Sequence, residues 1–101
     1  MKFVKTLKNI EEVNESKIIL EFFAEWCGPC LSMAVYFNEY STKYEDSFKF
    51  YRINVGEHEE LAEKFNIEAL PTFQIFKDGT KTEELVGASK DKLASLCEKY
   101  K

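Results

Sequence analysis

The sequence predicts an α/β domain in which a central mixed β-sheet is flanked by helices on both faces. Three observations carry that reading. Runs with the character of strands alternate with runs of helical period along most of the chain. Late in the sequence, two strand-like runs, 72–77 and 80–86, are separated only by Asp78-Gly79, a hairpin turn that brings the second strand back antiparallel. Finally, Trp26-Cys27-Gly28-Pro29-Cys30 falls where a buried strand gives way to a long helix.

The elements follow in order. Phe3 to Thr6 reads as a short edge strand. Asn9 caps a helix to about Glu15, with Ile10 and Val13 turned inward. Lys17 to Phe23, rich in Ile, Leu and Phe, reads as a central strand buried on both faces. Pro29 opens a helix to about Glu45, whose core stripe is Met33, Phe37, Tyr40 and Tyr44. Phe48 to Val55 alternates as a strand. Glu57 to Phe65 is a short helix with an acidic first turn and Leu61, Ala62 and Phe65 inward. After the hairpin, Ser89 caps a last helix with Leu93, Leu96, Cys97 and Tyr100 on one face. The predicted order is β-α-β-α-β-α-β-β-α.

At 101 residues, the chain is expected to form a single domain over 1–101. Apolar residues make up 45% and aromatics 15%, enough for a core without disulfide staples. The net charge of −4, with acids and bases interspersed, argues against nucleic acid or an anionic membrane as partner. Three cysteines do not suit a secreted disulfide scaffold, which usually carries an even and denser set. Lysines break every apolar run in residues 1–8, and neither a signal-peptide core nor a membrane span is read. The expected location is cytoplasmic, where a CxxC pair near a βαβ pattern reads as a redox motif.

The chemistry of that pair follows from its place. A thiol at the first turn of a helix meets unpaired backbone N–H groups and the positive end of the helix dipole, so its reactive thiolate is stabilised. A modest shift is the useful one, because a strongly acidified thiol is a poorer nucleophile. A second thiol three residues on lies one turn away and can close a small disulfide ring. Gly28 leaves the surface open to an approaching chain, and Pro29 suits a first helical turn. The competing readings are a structural disulfide and half of a metal site, but the context is strand–turn–helix rather than a metal knuckle. His58, in the acidic run Glu57-His58-Glu59-Glu60, reads as a solvated residue. A Cys27/Cys30/His58/Cys97 zinc site fits by count but not by spacing.

Four segments resemble the thioredoxin family, and the likeness covers nearly all of the chain. Residues 22–30, Phe-Phe-Ala-Glu-Trp-Cys-Gly-Pro-Cys, resemble its active-site segment. Leu70-Pro71-Thr72-Phe73 resembles its cis-proline segment, Phe76-Lys77-Asp78-Gly79 its hairpin, and Val86-Gly87-Ala88 the loop bordering its site. The resemblance implies the thioredoxin fold, with four helices around the sheet. It implies a thiol–disulfide oxidoreductase that reduces protein disulfides, with Cys27 as attacking thiolate and Cys30 as a more shielded resolving thiol. Trp26 becomes an exposed apolar wall beside the pair, its competing role being plain core packing. Pro71 is expected to be cis, against a strong general preference for trans. The Leu70 backbone would pair with an extended substrate, and Val86, Gly87 and Ala88 would complete the rim. No bound cofactor is expected. Electrons would come from NADPH through a flavin-containing thioredoxin reductase. The expected partners are that reductase and oxidised clients such as peroxiredoxins, and the chain is expected to be a monomer.

The sequence also departs from the family. Glu21 stands inside a strand, where a carboxylate is unexpected and where the family usually places an aspartate that helps move the resolving thiol's proton. Arg52 matches a position often held by lysine. The expectation is a Glu21–Arg52 pair below Cys27 and Cys30, with the permanently charged guanidinium holding Glu21 ionised. The competing picture is a strand edge with both groups in solvent. Leu31 replaces a frequently basic residue and makes the rim more apolar. Val35 replaces a helix-kinking proline, so the helix is expected to run straighter. Cys97 reads as a buried structural thiol rather than a regulatory one. Two rival functions remain: an oxidase or isomerase on the same fold, although Gly-Pro between the cysteines resembles the reductive members, and a partner-binding module that docks through the apolar rim.

Overall fold

The computed structural model describes residues 4–8, 13 and 15–101. Its elements are β1 (Lys5–Leu7), β2 (Lys17–Phe23), α1 (Gly28–Lys43), β3 (Lys49–Asn54), α2 (Glu59–Lys64), β4 (Thr72–Lys77), β5 (Thr80–Val86) and α3 (Lys90–Tyr100). The predicted helix over 9–15 falls mostly outside the described residues, as does Phe3 of the predicted edge strand. Val13 and Glu15, which are described, lie in neither helix nor strand. Three helices therefore flank the sheet among the described residues, where the resemblance implied four.

The strands form one sheet in the order β1-β3-β2-β4-β5. β1 and β2 both run parallel to β3, whereas β4 is antiparallel to β2 and to β5. β2 thus lies at the centre, paired on both sides, and its last six residues are all buried. Asp78 and Gly79 both adopt positive φ, 51° and 82°, which is the geometry of a tight hairpin turn.

Alternation along β2 splits the core in two. Ile19 faces Met33 and Phe37 of α1 and Leu93, Leu96 and Cys97 of α3. Ile18, Leu20 and Phe22 face Leu61, Ala62 and Phe65 on the α2 side. Fully buried Phe22, Phe37 and Phe73 anchor the two layers, each contributing about 1.5–3 kcal/mol by leaving water. Helix α1 ends two residues earlier than predicted. The Tyr44 N–H donates to Tyr40 O at 2.8 Å, and Tyr44 O then accepts from Ser47 N and Phe48 N, which turns the chain into β3.

The consequence for function is positional. β2 and β3 are parallel, so their carboxyl ends come out at the same edge of the sheet. The β2–α1 turn and the β3–α2 turn sit side by side there, where open α/β sheets place their ligands.

Candidate active site

Ala24 O accepts from Cys27 N at 3.2 Å, closing the turn that leaves β2. Cys27 then serves as the N-cap of α1. Its backbone is extended, and its Sγ accepts from the Cys30 N–H at 3.2 Å. Gly28 and Pro29 fill the first helical turn, and no acidic side chain stands in that turn to oppose a negative sulfur. The geometry that caps the helix is the geometry that stabilises a thiolate.

Cys27 and Cys30 are joined as a disulfide, with Cα atoms 5.2 Å apart. Cys27 is 6% exposed and Cys30 1%, so the first sulfur borders the surface and the second is sealed beneath it. They pack with Phe23, Ala24 and Leu70.

Trp26 is 78% exposed, a wall rather than core. It faces an open depression whose lining includes Cys27, Gly28, Pro29 and Leu70 of the predicted site. The same depression is lined by Val55, Ala62, Ile67, Glu68 and Ala69, which sequence reasoning did not assign to the site. The available signal was the position of Val55 just past a parallel strand's carboxyl end.

Gly56 was missed as well. A Cβ there would come within 3.1 Å of Ala24 Cβ and Asn54 Oδ1 and 3.4 Å of Trp26 Nε1, yet its φ is not in the left-handed region. Close approach of neighbours, not backbone conformation, is what asks for glycine. Asn54 Oδ1 also accepts from Gly56 N at 3.0 Å, fixing that turn.

Pro71, Val86, Gly87 and Ala88 do not line the depression. The Leu70–Pro71 bond is cis. Pro71 O accepts from Gly87 N at 2.9 Å, and Val86 pairs with Thr72, so this loop is fastened to the proline. Gly87 has φ of 107°, open to glycine and strained for other residues. Thr72 Oγ1 donates to Ala69 O at 2.6 Å and braces the approach to Pro71.

Glu21 is fully buried at the centre of β2. By alternation it shares the α1 face with Ile19 and Phe23. Arg52, its register partner on β3, donates from Nε to Glu21 Oε1 at 2.5 Å, and its guanidinium stacks 3.8 Å from the Phe23 ring. The pair exists as expected, and the solvent-exposed strand edge does not. Its balance differs from expectation, however. Burial raises the Glu21 pKa above the ordinary value, and the charge and hydrogen bond of Arg52 only partly lower it again. Among the described residues, Glu21 Oε2 has no hydrogen-bond partner.

Leu31 and Val35 are exposed, and α1 runs through Val35 without interruption. Cys97 is buried in α3 and free. Among the described residues, no group of three or more Cys, His, Asp or Glu is placed to hold a metal ion, so Cys97 and His58 do not join the pair. Among them also, no helix is long and apolar enough to cross a membrane.

A cysteine pair held at a helix mouth, with one sulfur at the surface and its partner beneath, exchanges with thiols when it is oxidised and with disulfides when it is reduced: this is a thiol–disulfide oxidoreductase. Comparison with known proteins agrees. The family model for thioredoxin matches residues 2–99. A thioredoxin of Coprinus comatus is 38% identical over 102 residues, spanning 95% of this chain and 96% of its own. The solved thioredoxin of Plasmodium falciparum superimposes with a TM-score of 0.91 at 37% identity, covering 97% of this chain and 100% of that one. A further solved structure, described for the thiol resolving mechanism in yeast mitochondrial 1-Cys peroxiredoxin via glutathione/thioredoxin systems, gives 0.87 at 27% identity over 95% and 94%. The chain belongs to the thioredoxin family, which works without a bound cofactor.

Proposed function

We propose that Cys27 attacks and Cys30 resolves in the reduction of client disulfides, with Glu21 moving the Cys30 proton. The Cys27 thiolate forms a bond to one client sulfur, and the client's S–S bond breaks to release a thiolate. Cys30 then loses its proton and attacks Cys27 Sγ. The Cys27–Cys30 disulfide forms, and the second client sulfur leaves as a thiol. Two electrons pass from the pair to the client. The observation that carries this reading is the placement of Cys27 Sγ at the N-cap of α1, bonded to a more deeply buried Cys30.

A role for Glu21 is supported by a raised pKa, which brings its carboxylate closer to a thiol in proton affinity, and by the unpartnered Oε2. Trp26, Gly28, Pro29 and Leu70 form one wall for the client, and Pro71, Val86, Gly87 and Ala88 the other. Extended client backbone adds beside Leu70.

Electrons for the next cycle come from NADPH through a flavin-containing thioredoxin reductase. The clients include peroxiredoxins, in keeping with the relative described alongside one. The chain acts as a monomeric, single-domain cytoplasmic carrier.

Insulin reduction driven by NADPH and a thioredoxin reductase tests the assignment. Cys27→Ser abolishes turnover, and Cys30→Ser accumulates a mixed disulfide between Cys27 and insulin. Turnover retained in either variant contradicts it. A reduction potential near the about −270 mV known for thioredoxin, rather than the about −120 mV of a periplasmic oxidase, separates reductase from oxidase.

A further inference from the structure

Helix α1 carries two apolar faces. The inward one contains Cys30, Met33 and Phe37, all buried. The other is Leu31 and Val35, one turn apart and 63% and 57% exposed. Leu31 and Val35 stand at i and i+4, the spacing that stacks side chains along one side of a helix, and Leu31 is four residues past the N-cap Cys27. An exposed apolar pair therefore lies on the solvent side of α1, beginning one turn past the cysteine that caps it. Among the described residues, neither Leu31 nor Val35 belongs to or packs against a buried cluster. Large apolar side chains grouped in water mark a place where another molecule lands.

Cys27 fixes what lands there. A cystine that exchanges with it must bring a sulfur within bonding distance of Cys27 Sγ, and the chain flanking that cystine then lies over the neighbouring surface. We infer that Leu31 and Val35 select client polypeptides carrying an apolar side chain within about four residues of the attacked half-cystine, given ~3.3 Å of advance per extended residue. This rests on the reading of Cys27 as the attacking thiol. Helical rise places Leu31 ~6 Å and Val35 ~12 Å along the axis from Cys27. Client side chains about two and four residues from the cystine reach those distances. Hydrocarbon against hydrocarbon gains affinity there, whereas a polar client side chain gains none.

Two synthetic disulfide peptides test this. They are identical except for leucine or serine two and four residues from the half-cystine, on both sides. The wild-type chain is expected to favour the leucine peptide in kcat/KM by about tenfold, the scale of partial burial of two aliphatic side chains. The Leu31→Ser/Val35→Ser variant is expected to lose that preference while its circular dichroism and melting temperature stay close to wild type, as suits two solvent-facing positions. Equal kcat/KM for the two peptides in the wild type overturns the inference and leaves the exchange reading standing. A preference that survives in the double variant also overturns it, by placing the selectivity elsewhere. Failure to reduce either peptide overturns the exchange reading and the inference together.

Discussion

Cys27 and Cys97 are the same side chain at opposite ends of helices, and their surroundings give them opposite chemistry. Cys27 caps the N-terminus of α1, where its sulfur accepts a backbone N–H and borders the surface. Cys97 lies in the last turn of α3, fully buried in the core shared with α1. Burial, reinforced by the neighbouring Glu98 charge, pushes its thiol up to about 12. The negative end of the helix dipole acts in the same direction. A thiol becomes a nucleophile or an inert core atom according to which helix end holds it and whether a client can reach it.

Exchanging the two cysteines' fates is the largest effect available. Cys27→Ala is expected to remove insulin reduction entirely, while Cys97→Ala retains nearly all of it. The cost of Cys97→Ala appears instead in stability, about 1 kcal/mol for a small cavity, read by urea denaturation. Loss of turnover in a folded Cys97→Ala chain would break the contrast.

Glu21 sharpens it next, because burial acts on this carboxyl as it does on Cys97, but with Arg52 opposing. Glu21→Gln is expected to slow the resolving step, so that the mixed disulfide persists longer in a quenched time course. Stability gives the sign of the balance. The folded-state pKa lies above the ordinary glutamate value, so the protonated form is the one the fold favours. The stability of wild type relative to Glu21→Gln is then constant below about pH 4.5 and falls as pH rises through the raised value. A difference that grows with pH would mean that Arg52 outweighs burial.

The smallest effect is expected at Gly56→Ala. Its Cβ would press on Ala24 and Asn54, both buried, and would touch the indole of the exposed Trp26. The expected cost is about 1 kcal/mol, with a shifted emission from Trp26, the chain's one tryptophan. Unchanged emission would remove Gly56 from the site.

The same contrast marks what the sequence makes legible. Local signals read correctly: the bounds of β2, β4 and β5, Ser89 as the cap of α3, and the turn at Asp78-Gly79 all rest on a few adjacent residues. The Cys27/Cys30 pair is legible because its chemistry is local to one helix turn. Gly56 and the far wall of the depression are not, since Val55, Ala62 and Ile67 meet Cys27 only through tertiary packing. The Glu21–Arg52 pair was legible as a pairing, but its balance was not, because the degree of burial comes from the helix laid over the sheet.

The most direct test of the central claim is alkylation of the reduced chain with limiting iodoacetamide at pH 7, the label being located by peptide mass spectrometry. The account predicts label on Cys27 first, then Cys30, and none on Cys97 until the protein is unfolded. Label on Cys97 as fast as on Cys27, or on Cys30 ahead of Cys27, would contradict it.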